Sequence, residues 1–170
     1  CAVGTPGIGK STNTPFLICM LLKKGKTVVY LVRTEKGKGW CYEFVPSKDL
    51  STTPTCNVYP ESMDPDGIPS LHNRETYYIV DPGMTKDSCN PDTTFLPKVI
   101  IVASPDDRHW GESEFRKMRG SVKGFFLYYP LWKLEELLSA RSSLMDRGPQ
   151  LSETIIGERF LVVGGVPRHI

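Results

Sequence analysis

No stretch of the chain approaches the roughly 18 consecutive apolar residues of a membrane-spanning helix, which excludes that class of protein. An excess of one charge sign is lacking too. The 21 Lys and Arg residues stand against 19 Asp and Glu, a formal net charge of +2. Whole-chain electrostatics therefore give no case for direct binding to nucleic acid or to a membrane surface. The five cysteines (Cys1, Cys19, Cys41, Cys56 and Cys89) are odd in number and contain no C-x-x-C pair. That argues against a zinc ribbon or a disulfide framework, and for a reducing, intracellular compartment. His72, His109 and His169 have no ligand spacing to cysteine or to each other, so no zinc site is expected. Internal repeats and low-complexity tracts are missing as well.

What remains is an ordinary globular composition, 39% hydrophobic and 24% charged over 170 residues. That length holds one domain, or one domain and the start of another. The informative segment comes first. Gly4-Thr5-Pro6-Gly7-Ile8-Gly9-Lys10-Ser11 matches G-x-x-x-x-G-K-[ST] in full. The glycines let main-chain amides converge on phosphate oxygens, and the helix that follows adds the positive end of its dipole. Lys10 supplies a point charge for the outer phosphates. The Ser11 hydroxyl, with Thr12 beside it, suits Mg²⁺, which prefers oxygen ligands. The nucleotide-binding segment is thus Gly4 to Thr12. Only three residues precede the loop, so we expect a truncated first strand and a chain cut from a longer one; Ile170, just past a Gly-Gly-x-Pro corner, reads the same way.

Helical spacing of Phe16, Leu17, Met20 and Leu21 predicts a helix after the loop, closed by Lys23, Lys24 and Gly25, with Pro15 as a kink near its start. Strands are predicted at 27–32, 40–45, 77–80, 99–103 and 124–129, the first two as a hairpin. The five prolines between Pro46 and Pro69 predict an irregular loop. A short helix is expected over 112–118, an amphipathic one on Leu131, Leu134, Leu137 and Leu138, and a last one from an N-cap at Ser152 to about Val163. Strands alternating with helices predict an α/β fold, a parallel sheet flanked by helices over 1–130, with the beginning of a helical lid over 131–170.

Asp81 ends an apolar strand, where a carboxylate can hold Mg²⁺ through water opposite Ser11; it also opens an Asp-Pro-Gly turn. Ser104 ends the next strand, at the edge where α/β sheets bind ligands, as a phosphate sensor or simply the start of a Ser-Pro turn. Many ATPases orient water with a glutamate directly after the strand-terminal aspartate. Pro82 stands there, and Glu35 is a substitute base or a solvated turn charge. Arg108, Arg116, Arg119 and above all Arg168 are candidate phosphate-facing arginines. The Asn-Lys-x-Asp segment that reads guanine is absent, which favours ATP over GTP.

Taken in order, the loop, Thr27-Val28-Val29-Tyr30, Tyr78-Ile79-Val80-Asp81, Val102-Ala103-Ser104-Pro105, Tyr129-Pro130-Leu131-Trp132-Lys133-Leu134-Glu135-Glu136-Leu137-Leu138, Glu158-Arg159-Phe160 and Gly164-Gly165-Val166-Pro167-Arg168 resemble the P-loop NTPase region of the Crinkler effectors and retrotransposon hot spot proteins. The likeness covers most of the chain apart from 46–76. It implies a P-loop NTPase of the additional-strand class, related to the signal-transduction ATPases. Lys10 and Ser11 would bind phosphate and Mg²⁺, Asp81 would be the metal-side acid and Ser104 the sensor. The Gly-Gly-x-Pro corner would lie near the base of ATP. It further implies a nuclease-like domain elsewhere in the parent chain, and a place in the cell's own or a host nucleus with a protein partner there. Pro15, the proline-rich stretch and the short first strand depart from the pattern. Three readings stand open: an ATPase whose turnover is weak or partner-dependent, a non-hydrolysing interaction module stabilised by nucleotide, and a degenerate fragment.

Overall fold

The computed structural model describes residues 2–33, 39–47, 53–60, 67–81, 97–103, 127–143 and 151–169. It is an α/β protein with a mixed sheet flanked by helices. The strands are β1 (Ala2–Val3), β2 (Val28–Arg33), β3 (Gly39–Val45), β4 (Thr55–Pro60), β5 (Tyr77–Asp81), β6 (Lys98–Ala103) and β7 (Leu127–Tyr128). Their order across the sheet is β4-β3-β2-β5-β6-β1-β7. The run from β2 to β7 is parallel, whereas β3 and β4 are antiparallel additions at one edge. The parallel part of the sheet and the hairpin of β2 and β3 are both as expected from the sequence; the hairpin, with β4 beyond it, makes the whole sheet mixed.

Both faces of the central strands are covered, which is why they read as continuous apolar runs. Val28, Ile79 and Val102 pack under helix α1 (Lys10–Lys23) against Ile18 and Leu21. Val29, Tyr78 and Val80 face the other way, onto Ile68 and Leu71 at the 3₁₀ turn Pro69–His72. Val28, Val29, Ile79 and Val80 are wholly buried, each worth roughly 1.5–3 kcal/mol of apolar transfer.

Strand β4 lies inside the stretch expected to be an irregular loop. Its side chains are mostly exposed, so no apolar alternation marks it. It is held by the ladder to β3 and by a buried carboxylate. Glu43 on β3 is 5% exposed and accepts from Asn57 Nδ2 at 2.8 Å and Tyr59 Oη at 2.9 Å. Burial pushes the Glu43 carboxyl up, but hydrogen bonds from Ser70, Asn57 and Tyr59 outweigh it and hold the group below its ordinary range.

The inward stripe of α1 is Lys10, Thr14, Ile18 and Leu21. The expected face on Phe16 and Met20 is corrected: both side chains are exposed. The anchoring of Lys10 fixes the helix rotation, and positions 14, 18 and 21 then fall on the sheet. The helix runs unbroken through Pro15, which lies on the exposed side, where water can satisfy the carbonyl its missing N–H leaves. Lys26 N donates to Leu21 O at 3.0 Å and Gly25 N to Leu22 O at 2.9 Å, with Gly25 at φ +68°, a Schellman close at the predicted glycine.

Helices α2 (Leu134–Ser143) and α3 (Glu153–Val163) form an antiparallel pair closed by Arg141, whose Nε donates to Leu151 O at 2.6 Å. Leu131 precedes α2 and is exposed rather than on its inner face. Ser152 caps α3 as expected, its Oγ accepting from Ile155 N at 3.2 Å. The expected helix at 112–118 and the first residues of the 124–129 strand lie outside the described residues. Among the described residues, no helix is long and apolar enough to cross a membrane.

Candidate functional site

The loop begins where β1 ends. Ile8 N donates to Thr5 O at 3.2 Å, closing a turn with Pro6 second and Gly7 third. Gly7 has φ +84°, as that position requires, and Gly9 follows at φ +98° as the N-cap of α1. The first helical bond is Asn13 N to Gly9 O at 2.9 Å. The amides of Lys10, Ser11 and Thr12 thus have no intrahelical acceptor and sit at the positive end of the dipole. A loop with two left-handed glycines running into bare helical amides leaves several N–H groups available to an acceptor such as an anion.

Lys10 is folded onto this loop and is only 8% exposed. Its Nζ donates to Gly4 O at 2.6 Å and Thr5 O at 3.0 Å. Burial lowers its pKa from the ordinary lysine value; the Asp81 carboxylate opposes that shift and the Arg168 guanidinium adds to it. Both groups therefore act on the ammonium. Asp81, half-buried at the carboxyl end of β5, also acts on Tyr30. Burial, then Asp81, then Tyr42 push that phenol up to about 12.

Strand β6 separates the loop's strand from the Asp81 strand. Its last residue, Ala103, is paired with Val3, the residue before Gly4. The structure thus brings together Gly4 to Lys10, Asp81 and Arg168, with Ser11 and Thr12 exposed in the first turn of α1. Ser104, Glu35, Arg108, Arg116 and Arg119 lie outside the described residues.

The second wall of the loop comes from residues 129–168; the sequence points to Arg168 and the Gly-Gly-x-Pro corner there, but not to the parts played by Trp132 and Tyr129. Trp132 Nε1 donates to Ile8 O at 3.1 Å, and Trp132 N donates to Gly165 O at 2.9 Å. Asn13 Nδ2 donates to Tyr129 Oη at 2.9 Å. A Cβ on Gly4 would meet Tyr129 Cβ at 2.9 Å, and one on Gly7 would meet Arg168 Cβ at 2.7 Å. A Cβ on Gly165 would collide with the Trp132 backbone. Glycine at positions 4 and 7 therefore permits close packing between loop and tail, and glycine at 165 permits it within the tail; at Gly4 and Gly7 one sequence read alone attributes that signal to the ligand.

Magnesium is testable against the donor set. Among the described residues, no group of three or more His, Cys, Asp or Glu converges as a stand-alone metal site. The Ser11 hydroxyl and Asp81 carboxylate are hard oxygen donors, too few for an all-protein cage. Donors of this chemistry would suit an ion that keeps most of its shell as water and phosphate oxygen. No family model, curated protein or solved structure matches the chain.

Proposed function

We propose that the chain is the nucleotide-binding module of an additional-strand P-loop NTPase, taking Mg-ATP on Gly4 to Thr12. The observation that carries the reading is the Lys10 ammonium, buried on its own glycine loop and favoured in its charged form by the Asp81 carboxylate. The strand order supports it: an additional strand, β6, stands between the loop's strand and the acidic strand. In this reading the loop amides and Lys10 bind the phosphates. Ser11 and Asp81 would hold Mg²⁺, which when bound offsets phosphate charge. Ser104 would sense the terminal phosphate. Hydrolysis transfers the terminal phosphoryl group to water, and the chain has Pro82, not a carboxylate, directly after Asp81. Turnover is therefore slow or partner-dependent, and the same observation favours a second reading in which bound nucleotide only fixes shape. The resemblance to Crinkler and hot spot proteins extends the proposal to a nuclear setting and a nuclease-like domain in the parent chain.

Titration of the chain with fluorescent ATP, with and without Lys10→Ala, tests the first step. Saturable binding lost in the variant is expected; equal affinity, or no binding by the native chain, refutes it. Phosphate release abolished by Asp81→Asn supports the enzyme. Binding without release in either protein supports the switch.

A further inference from the structure

We propose that Arg168 is the second cation of the loop site, so that a bound polyphosphate is held between the loop and the Gly164–His169 turn and draws the α2–α3 unit onto the sheet. This rests on the anion-binding reading of the loop but concerns a different part of the chain.

The Arg168 shaft crosses Gly7. A Cβ placed on Gly7 would lie 2.7 Å from Arg168 Cβ and 3.3 Å from its Cδ, with Val166 Cγ1 also at 3.3 Å. The turn carrying Arg168 is fixed independently of that contact. Val166 is buried, His169 N donates to Val166 O at 2.9 Å, and Trp132 bridges Gly165 O and Ile8 O. Arg168 is itself exposed, and among the described residues no hydrogen bond or ion pair takes up its guanidinium.

Lys10 Nζ rests on Gly4 O and Thr5 O while the Arg168 shaft rests on Gly7, so two cations share one glycine loop. Like charges on one loop repel, and an anion between them relieves that repulsion. The chemical class that satisfies both, together with the amides of Lys10, Ser11 and Thr12, is a polyphosphate, with the planar guanidinium suited to bridging two of its oxygens. Because one partner is on the loop and the other on the tail, ligand binding and tail docking are reciprocal by linkage.

The test is titration of the whole chain with Mg-ATP and with inorganic tripolyphosphate, in the native form, Arg168→Gln and Arg168→Lys. Hydrogen exchange at 164–169 is followed alongside. Loss of one charge-assisted contact weakens binding roughly 10- to 100-fold in Arg168→Gln, with partial recovery in Arg168→Lys. Exchange at 164–169 slows on ligand binding in the native chain and not in Arg168→Gln. Native affinity retained in Arg168→Gln, or ligand binding that leaves exchange at 164–169 unchanged in the native chain, overturns this inference alone. Failure of the native chain to bind either ligand overturns the nucleotide reading and this inference with it.

Discussion

Gly7 and Gly9 offer a direct measurement of how firmly the tail sits on the loop. Both are in the left-handed region, at φ +84° and +98°. Alanine at either site incurs the backbone penalty of about 1–2 kcal/mol. A Cβ on Gly9 meets nothing within 4 Å, whereas one on Gly7 runs into Arg168 and Val166. Overpacking of that kind costs about 1–3 kcal/mol more. Gly7→Ala is therefore less stable than Gly9→Ala by about 1–3 kcal/mol, on the order of 2–10 °C in the thermal midpoint of a chain this size. Denaturant titration of the two variants checks the difference. Arg168→Gly removes the Cβ that is struck, so in a double-mutant cycle with Gly7→Ala it restores most of the excess while leaving the backbone penalty. Equal costs for the two alanines, or a cycle with no coupling energy, would mean that the tail does not rest on Gly7.

Glu43→Gln tests the buried carboxylate behind β4. The folded pKa is held below the ordinary value, so the stabilisation is fully present above the unfolded-state pKa and fades as pH falls through the lowered one. The variant is less stable at pH 7 by about 1.5–3 kcal/mol, the worth of charged hydrogen bonds, and the gap between the two proteins narrows in acid unfolding curves. Ser152→Ala removes the α3 cap and lowers stability by about 1 kcal/mol, read as a lower thermal midpoint. Mg-ATP at a hundredfold excess over its dissociation constant raises native stability by about 2.7 kcal/mol; a thermal shift in Lys10→Ala equal to the native one contradicts the assignment of Lys10.

What could be read from the sequence was local. The loop, the α1 close at Gly25, the Ser152 cap and the apolar run ending in Asp81 each announce themselves within a few residues. Strand β4 could not, because its partners Asn57 and Tyr59 answer a carboxylate on another strand rather than an apolar face. The face of α1 was misjudged for a related reason. Phe16 and Met20 are the more apolar positions, but the rotation is set at Lys10, whose donors reach back to Gly4 and Thr5. Trp132 and Ile8 are 124 residues apart, and no periodicity connects them.

The glycines of the loop carry different duties, and a control elsewhere in the chain separates them. Gly4 and Gly7 are occupied by the protein's own tail, through Tyr129 and Arg168. Gly9 has the same open surroundings as Gly25, at φ +68° with nothing within 4 Å of its notional Cβ. Gly25 closes α1 at the end away from the loop, where no ligand is proposed. Gly9→Ala and Gly25→Ala should thus destabilise the fold by similar amounts, about 1–2 kcal/mol each. If Gly9 serves only the backbone, their Mg-ATP affinities will also match once each protein is folded. If its bare Cα admits phosphate oxygens, Gly9→Ala loses affinity at least tenfold while Gly25→Ala binds as the native chain does. Matched affinities in folded proteins would reduce Gly9 to a helix start and leave Lys10 and Arg168 as the site's remaining claim on an anion.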